Sequence, residues 1–248
     1  RWIPGVAGKT CGSRWGALNA VYPCRILAPD DPLAEGTLRH LRSQMSPGGL
    51  PLNTGWMPNG LWVAIALDNL AETHLVRNEG DEAADLLYAT LNHATPLYSW
   101  CEERGPTPGA AETSGDRQHL WTPVSVVREL RDSYAFEWDG DLHLARGLHR
   151  DWIASGQPVG IADAPTHFGE VSFQMRYDAA ACELRGHVAL KPRKHCAEAG
   201  KIALHLRLPK GVAAESVDAG SDAKLNADAT AVEWNKLSGK CDFVVKTK

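Results

Sequence analysis

The stretch Y-A-F-E-W-D-G-D-L-H-L (134–144) decides the architecture. Phe136 and Trp138 alternate with polar neighbours up to Asp139-Gly140, and Leu142 and Leu144 alternate after it. A two-residue Asp-Gly link between alternating runs is a strong hairpin signal, because both linking residues must take a positive φ. Upstream of this link the apolar residues recur at helical spacing, and downstream they recur at period two. Helices followed by strands is an α+β order.

Working back from the hairpin, Thr122-Pro123 opens a helix to about Ser133, with Val124, Val127 and Leu130 on one face. Asp81 caps a helix carrying Ala84, Leu87, Tyr88 and Leu91 at i, i+3, i+4 and i+7. Gly60 to Asn78 reads as a helix apolar on most sides, which implies burial on several faces. Asp31-Pro32 opens a helix to about Met45, and a short helix is expected around Ser13–Val21. Thr95-Pro96 starts a short helix to about Glu103, and residues 105–118 form a long loop. Forward of the hairpin, a brief helix over Leu148–Ala154 precedes alternating strands at 171–177, 182–190 and 202–208. Shorter strands follow near 212–217, 231–234 and 242–245, as in an antiparallel sandwich. The expected organisation is a helical domain, 1–133, and a β-sandwich domain, 134–248.

Composition narrows the functional classes. A net charge of -4 and the lack of a basic stripe interleaved with aromatics give no reason to expect nucleic acid. No apolar run approaches the roughly 20 residues of a membrane span. Arg1 is neither an initiator nor part of a signal peptide, so the chain reads as processed, trimmed, or a piece of something longer. The six cysteines lack CxxC spacing, so neither a metal site nor a cofactor is expected. Cys182 and Cys196 are placed for a bridge across a hairpin, with free thiols as the alternative. Nine Trp against four Phe supplies either core residues or flat platforms for sugar rings.

The 93–132 region gathers acids and aromatics around the long loop: Trp100, Glu102, Glu103, Glu112, Asp116, His119 and Trp121. Carboxylates beside aromatic rings are what glycosidic hydrolysis uses, and a solvated loop with ordinary surface charge is the bland alternative. Trp56 and Asn59 occupy a second loop and are candidates for a subsite wall. His167 is placed to tether the two domains.

Several segments resemble the C-terminal part of six-hairpin, (α/α)6-toroid glycoside hydrolases, the group that includes α-L-rhamnosidase-like and α-L-fucosidase-like enzymes. They are G-A-L-N-A-V-Y-P (16–23), L-A-E-G-T-L-R-H-L (33–41), G-W-M-P-N-G-L-W (55–62), the run from Gly80 to Thr95, S-G-D-R-Q-H-L-W-T-P (114–123) and A-P-T-H-F-G-E-V-S-F (164–173). The resemblance implies an incomplete (α/α) toroid of antiparallel helix hairpins followed by a β-sandwich. It places a base near the W-x-E pattern, at Glu102 or Glu103, with Glu112 or Asp116 as the second carboxylate. Trp56, Asn59, Trp100, His119 and Trp121 would contact substrate, and the setting would be secreted or periplasmic, with the cytoplasm as the alternative.

Three readings compete: a glycoside hydrolase or a fragment of one, a non-catalytic carbohydrate-binding or structural module derived from one, and a polysaccharide lyase. In each the partner is a carbohydrate. A half-toroid would leave Leu61, Trp62 and Ile65 without neighbours, so either a homo-oligomer completing the helical layer or cover by the chain's own segment 1–30 is expected, the first being favoured.

Overall fold

A computed structural model of the chain describes residues 1–5, 16–106, 112–220, 222–237 and 239–248. Cys11, Trp15, the start of the helix expected at Ser13–Val21 and residues 107–111 of the long loop lie outside the described residues. The chain divides into two compact units, Arg1–Leu130 and Arg131–Lys248.

The first unit carries helix α1 (Pro32–Arg42), whose start is set by Asp31: its Oδ1 accepts from the Leu33 amide at 2.7 Å, and Pro32 follows in the first turn. Helix α2 (63–76) has a π-helical segment, Ala66–Ala71, between α-helical ends. Helix α3 is Gly80–Asn92. Helix α4 is Trp121–Tyr134, and the division between units falls within it. Strands β1 (Leu61–Trp62), β2 (Glu103–Arg104) and β3 (Thr113–Ser114) form a small antiparallel sheet in that order. The core joins Leu38 and Leu41 of α1, Leu67, Leu70 and Leu75 of α2, and Leu87 of α3.

The second unit starts at the expected hairpin. Strands β4 (Ala135–Trp138) and β5 (Asp141–Leu144) pair antiparallel, with Asp139 and Gly140 at φ 58° and 83°. Helix α5 (Arg150–Ala154) follows. Next come β6 (Val159–Thr166), β7 (Gly169–Asp178), β8 (Glu183–Lys191) and β9 (Ile202–His205). The last four are β10 (Ala214–Asp218), β11 (Ala223–Leu225), β12 (Ala231–Trp234) and β13 (Gly239–Thr247). One sheet runs β10-β13-β8-β7-β6, the other β11-β12-β9-β5-β4. Their facing sides share one core: Val171, Phe173 and Met175 from the first sheet, Leu144, Leu204, Val232 and Trp234 from the second. Along β7 burial alternates residue by residue, as period two requires. Register shifts interrupt the edge strand β6 between Ile161 and Ala164 and the other edge strand, β10, between Ala214 and Ser216.

Several expectations are corrected. No helical-hairpin toroid is present: among the described residues five helices occur, none longer than the 14 residues of α4, beside three sheets. The resemblance to six-hairpin glycoside hydrolases therefore does not extend to the fold, which is α+β and mainly sheet. Helical periodicity reports that one face of a segment is buried, whatever buries it. Here the chain between α3 and α4 runs out and back as strands, where the toroid needs another hairpin. The helix expected from Pro96 to Glu103 is turn leading into β2, and part of the loop beyond it returns as β3. Leu61 and Trp62 belong to β1 rather than to α2. Together with Ile65 they are buried, at 1%, 4% and 0% exposure, within the first unit. The sandwich is not wholly antiparallel, since β5 pairs with β9 in parallel. The three strands between them lie in the opposite sheet, so the chain re-enters beside β5 by crossing over. Cys182 and Cys196 are free thiols. Among the described residues no helix is long and apolar enough to cross a membrane.

Candidate functional site

The site is built on the small sheet of the first unit. Pairing continues past the strands on one side, with the Glu102 amide donating to the Asp116 carbonyl at 2.8 Å and the His119 amide to the Trp100 carbonyl at 2.8 Å. Successive residues of an extended segment point to opposite faces, so Glu102 and Glu103 part company. Glu103 turns inward, with no exposed surface, and accepts from the backbone amides of Trp56 at 3.1 Å and Met57 at 2.8 Å. A Cβ at Gly55 or Gly60 would collide with this carboxylate, so both glycines let the loop wrap it. The same loop is closed by the Asn53 amide on the Gly60 carbonyl at 2.9 Å and the Asn59 amide on Asn53 Oδ1 at 2.8 Å. Asn53 and Asn59 take φ of 56° and 57°, a region Asn enters more readily than most residues.

This anchoring presents an aromatic series. Trp56 is 60% exposed and its ring lies 4.8 Å from that of buried Trp62, tilted by 35°. Trp62 meets Trp121 edge-on at 5.4 Å, and Trp121 lies 6.1 Å from His119. Such tilted and edge contacts suit the ring quadrupoles and fix the rings relative to one another.

An acidic pair supports the inner end of the series. The Trp121 indole N–H donates to Asp68 on the π-helical segment of α2. Arg128 of α4 donates from Nη2 to Asp68 Oδ1 at 2.7 Å and from Nε to Glu72 Oε1 at 2.6 Å. Burial works to lower the Arg128 pKa, but Glu72 and Asp68 outweigh it and the guanidinium is held above its ordinary value. Sequence reasoning missed Asp68, Glu72 and Arg128. The signal was available: two acids at i and i+4 on a helix otherwise almost all apolar need a cation.

The remaining candidates fall in different places. Trp100 is a core residue, 3% exposed, whose indole N–H donates to the Thr90 carbonyl at 2.8 Å. Glu102 is half-buried and accepts from the Asp116 amide at 3.3 Å. Glu112, Asp116 and Asn59 are exposed, and His119 is half-buried. His167 contacts Glu137 within the second unit, its Nδ1 2.5 Å from Glu137 Oε2. The structure thus brings Trp56, Glu103, Trp121 and His119 into one connected cluster, with Glu102 and Asp116 just beyond the ends of β2 and β3, and leaves Trp100 in the core. Among the described residues no group of three or more His, Cys, Asp or Glu side chains could hold a metal ion. No protein-family model and no curated protein matches the sequence.

Glycosidic hydrolysis asks for two carboxyl groups about 5–9.5 Å apart and open to substrate. Here Glu103 serves two backbone amides, Asp68 serves Trp121 and Arg128, and Glu72 serves Arg128. These three acids shape the wall, and Trp56 is the exposed ring of the series they support.

Proposed function

We propose that the first unit is a non-catalytic carbohydrate-binding surface, with Trp56 as the stacking platform. One observation carries the reading: an indole 60% exposed sits on a loop pinned by the buried Glu103 and packs on Trp62. A large apolar ring left in water costs solvation, and holding it rigid lowers the entropy lost on binding. The C–H face of a sugar ring is flat and weakly apolar, and its hydroxyls need polar neighbours. Asn59, Glu102 and Asp116 on the adjoining segments are of the right chemistry.

The test is a fluorescence titration of the intact chain with plant and microbial oligosaccharides, run alongside assays for released reducing ends and aryl glycoside turnover. At least one oligosaccharide is expected to shift tryptophan emission. Trp56→Ala is expected to weaken that ligand at least tenfold, about 1.4 kcal/mol, while Leu97→Ala, an exposed apolar residue at 82%, leaves it unchanged. Turnover of any glycoside would replace the reading with a catalytic one, and equal affinity in Trp56→Ala would remove the platform.

A further inference from the structure

The second unit holds a cavity of about 470 Å³ where the sandwich changes sheets. The link from β8 to β9 and the link from β12 to β13 both cross between the sheets there, and their residues wall the opening. Its floor is apolar: Phe168, Leu190 and Ile202 are 8%, 6% and 2% exposed, with Leu237 beside them. The volume is that of a small-molecule site, and an apolar floor with few polar groups is the usual pattern of one.

Two side chains of opposite charge line the same cavity, Glu198 and Lys236. Both residues are exposed. Neither side chain forms an ion pair or hydrogen bond among the described residues. Neighbouring cations differ in this respect: Lys191 pairs with Asp163, and Arg193 with Glu170. The cavity therefore offers one uncompensated carboxylate, one uncompensated ammonium and an apolar floor.

We propose that this cavity binds a zwitterion with an apolar side chain, of the class of free aliphatic and aromatic amino acids. The ligand ammonium faces Glu198, its carboxylate faces Lys236, and its side chain lies on Phe168 and Leu190. A purely apolar ligand would leave both charges unused, and a singly charged one would leave one of them so. The proposal is independent of carbohydrate binding by the first unit.

Cys196 lines the cavity and is a free, half-buried thiol, while Cys182 is free, exposed and not among the lining residues. Iodoacetamide labelling of the intact chain, read by mass spectrometry at both cysteines, gives a site reporter with an internal reference. L-Phenylalanine is expected to slow labelling of Cys196 at least threefold and to leave Cys182 unchanged. 3-Phenylpropionate lacks the ammonium and phenethylamine lacks the carboxylate. Each is expected to need about three- to fivefold more ligand, the worth of one exposed ion pair. Glu198→Gln should abolish the preference over 3-phenylpropionate, and Lys236→Gln the preference over phenethylamine. Calorimetry of the same three ligands gives the ranking without a thiol. Absence of binding in calorimetry, or equal binding of all three ligands by the unaltered chain, would overturn the proposal.

Discussion

The two units bury different chemistry. The second fills the space between its sheets mainly with apolar side chains, Phe173, Met175, Leu204 and Phe243 among them, and its buried charged groups are less deeply set, Glu183 at 4% exposure and Arg146 at 8% among them. The first places ionisable groups deep in its interior, with the Glu72 and Glu103 carboxyls at 0% exposure and the His74 ring at 2%. A buried carboxylate is tolerable only where donors meet it. Glu103 meets two backbone amides, Glu72 meets Arg128, and the ring of His74 meets Glu79 at 2.6 Å. The Glu79 carboxyl is pushed up by burial and pulled down more strongly by His74 and Arg77, to about 2. The second unit rests chiefly on packing between its sheets, and the first on packing plus polar contacts to fully buried carboxylates. That difference explains where a rigid exposed ring can be built: the donors that satisfy Glu103 are the backbone of the loop that carries Trp56.

The comparison can be broken most directly in the second unit. Phe173→Ala empties a 1% exposed site between the sheets and is expected to cost about 3–5 kcal/mol in urea unfolding. A loss under about 1 kcal/mol would mean that shape does not dominate there. In the first unit, Arg128→Ala removes the guanidinium from Asp68 and Glu72 and is expected to cost about 3 kcal/mol, near the lower end for a broken buried pair because Arg128 is itself 42% exposed. A cost no greater than a surface truncation, about 0.5 kcal/mol, would erase the distinction between the units.

A pH-dependent effect, small near neutral pH, sharpens the contrast, because the second unit buries a polar pair of its own. His143 Nδ1 and His205 Nε2 lie 3.1 Å apart. Burial, then the nearby Arg146 and Lys201, holds His143 down to about 3. Burial, then His143 and Arg146, holds His205 well below its ordinary value. The unfolded chain takes up protons near pH 6.5 that the folded pair refuses. Stability from these groups is therefore full above pH 6.5 and is lost as the pH falls towards 3. Replacing both with Gln is expected to flatten the pH dependence of urea unfolding in that window, by up to about 1.4 kcal/mol per pH unit for each histidine. An unchanged slope would show that the pair is not protonated on unfolding.

What the sequence disclosed follows the range of the forces involved. Period two along Val171, Phe173, Met175 and Tyr177 is local, and so is the left-handed Asp139-Gly140 turn, and both could be read directly. The Asp31-Pro32 helix start was equally local. The parallel pairing of β5 with β9 was not legible, because it joins residues about 60 apart through a sheet change. Two-residue strands such as Leu61–Trp62 and Glu103–Arg104 carry no period, so β1 was absorbed into a helix and β2 into another. Glu103 was singled out for its residue type and its neighbour Trp100. Its real partners are amides 47 and 46 residues earlier, and backbone donors leave no mark in a sequence. The positions of Trp56 on a loop and Trp121 at a helix start were legible from the Gly- and Pro-rich stretch around the one and the Thr122-Pro123 signal beside the other. Asp68 drew no notice because it lies on a helix read as apolar on most sides.

The interrupted edges of the larger sheet bear on how the chain behaves in a crowd. An edge strand is a row of unsatisfied donors and acceptors that any passing strand can extend. On β6 the register breaks between Ile161 and Ala164, Asp163 turns to φ 51°, and Pro165 has no N–H to offer. On β10 the ladder breaks between Ala214 and Ser216. The other sheet ends in β11 and β4, of three and four residues, too short to template a long ladder. Each sheet thus refuses lateral growth by its own means, broken register in one and brevity in the other. A ten-strand sandwich with an apolar interior is in this way kept from polymerising edge to edge.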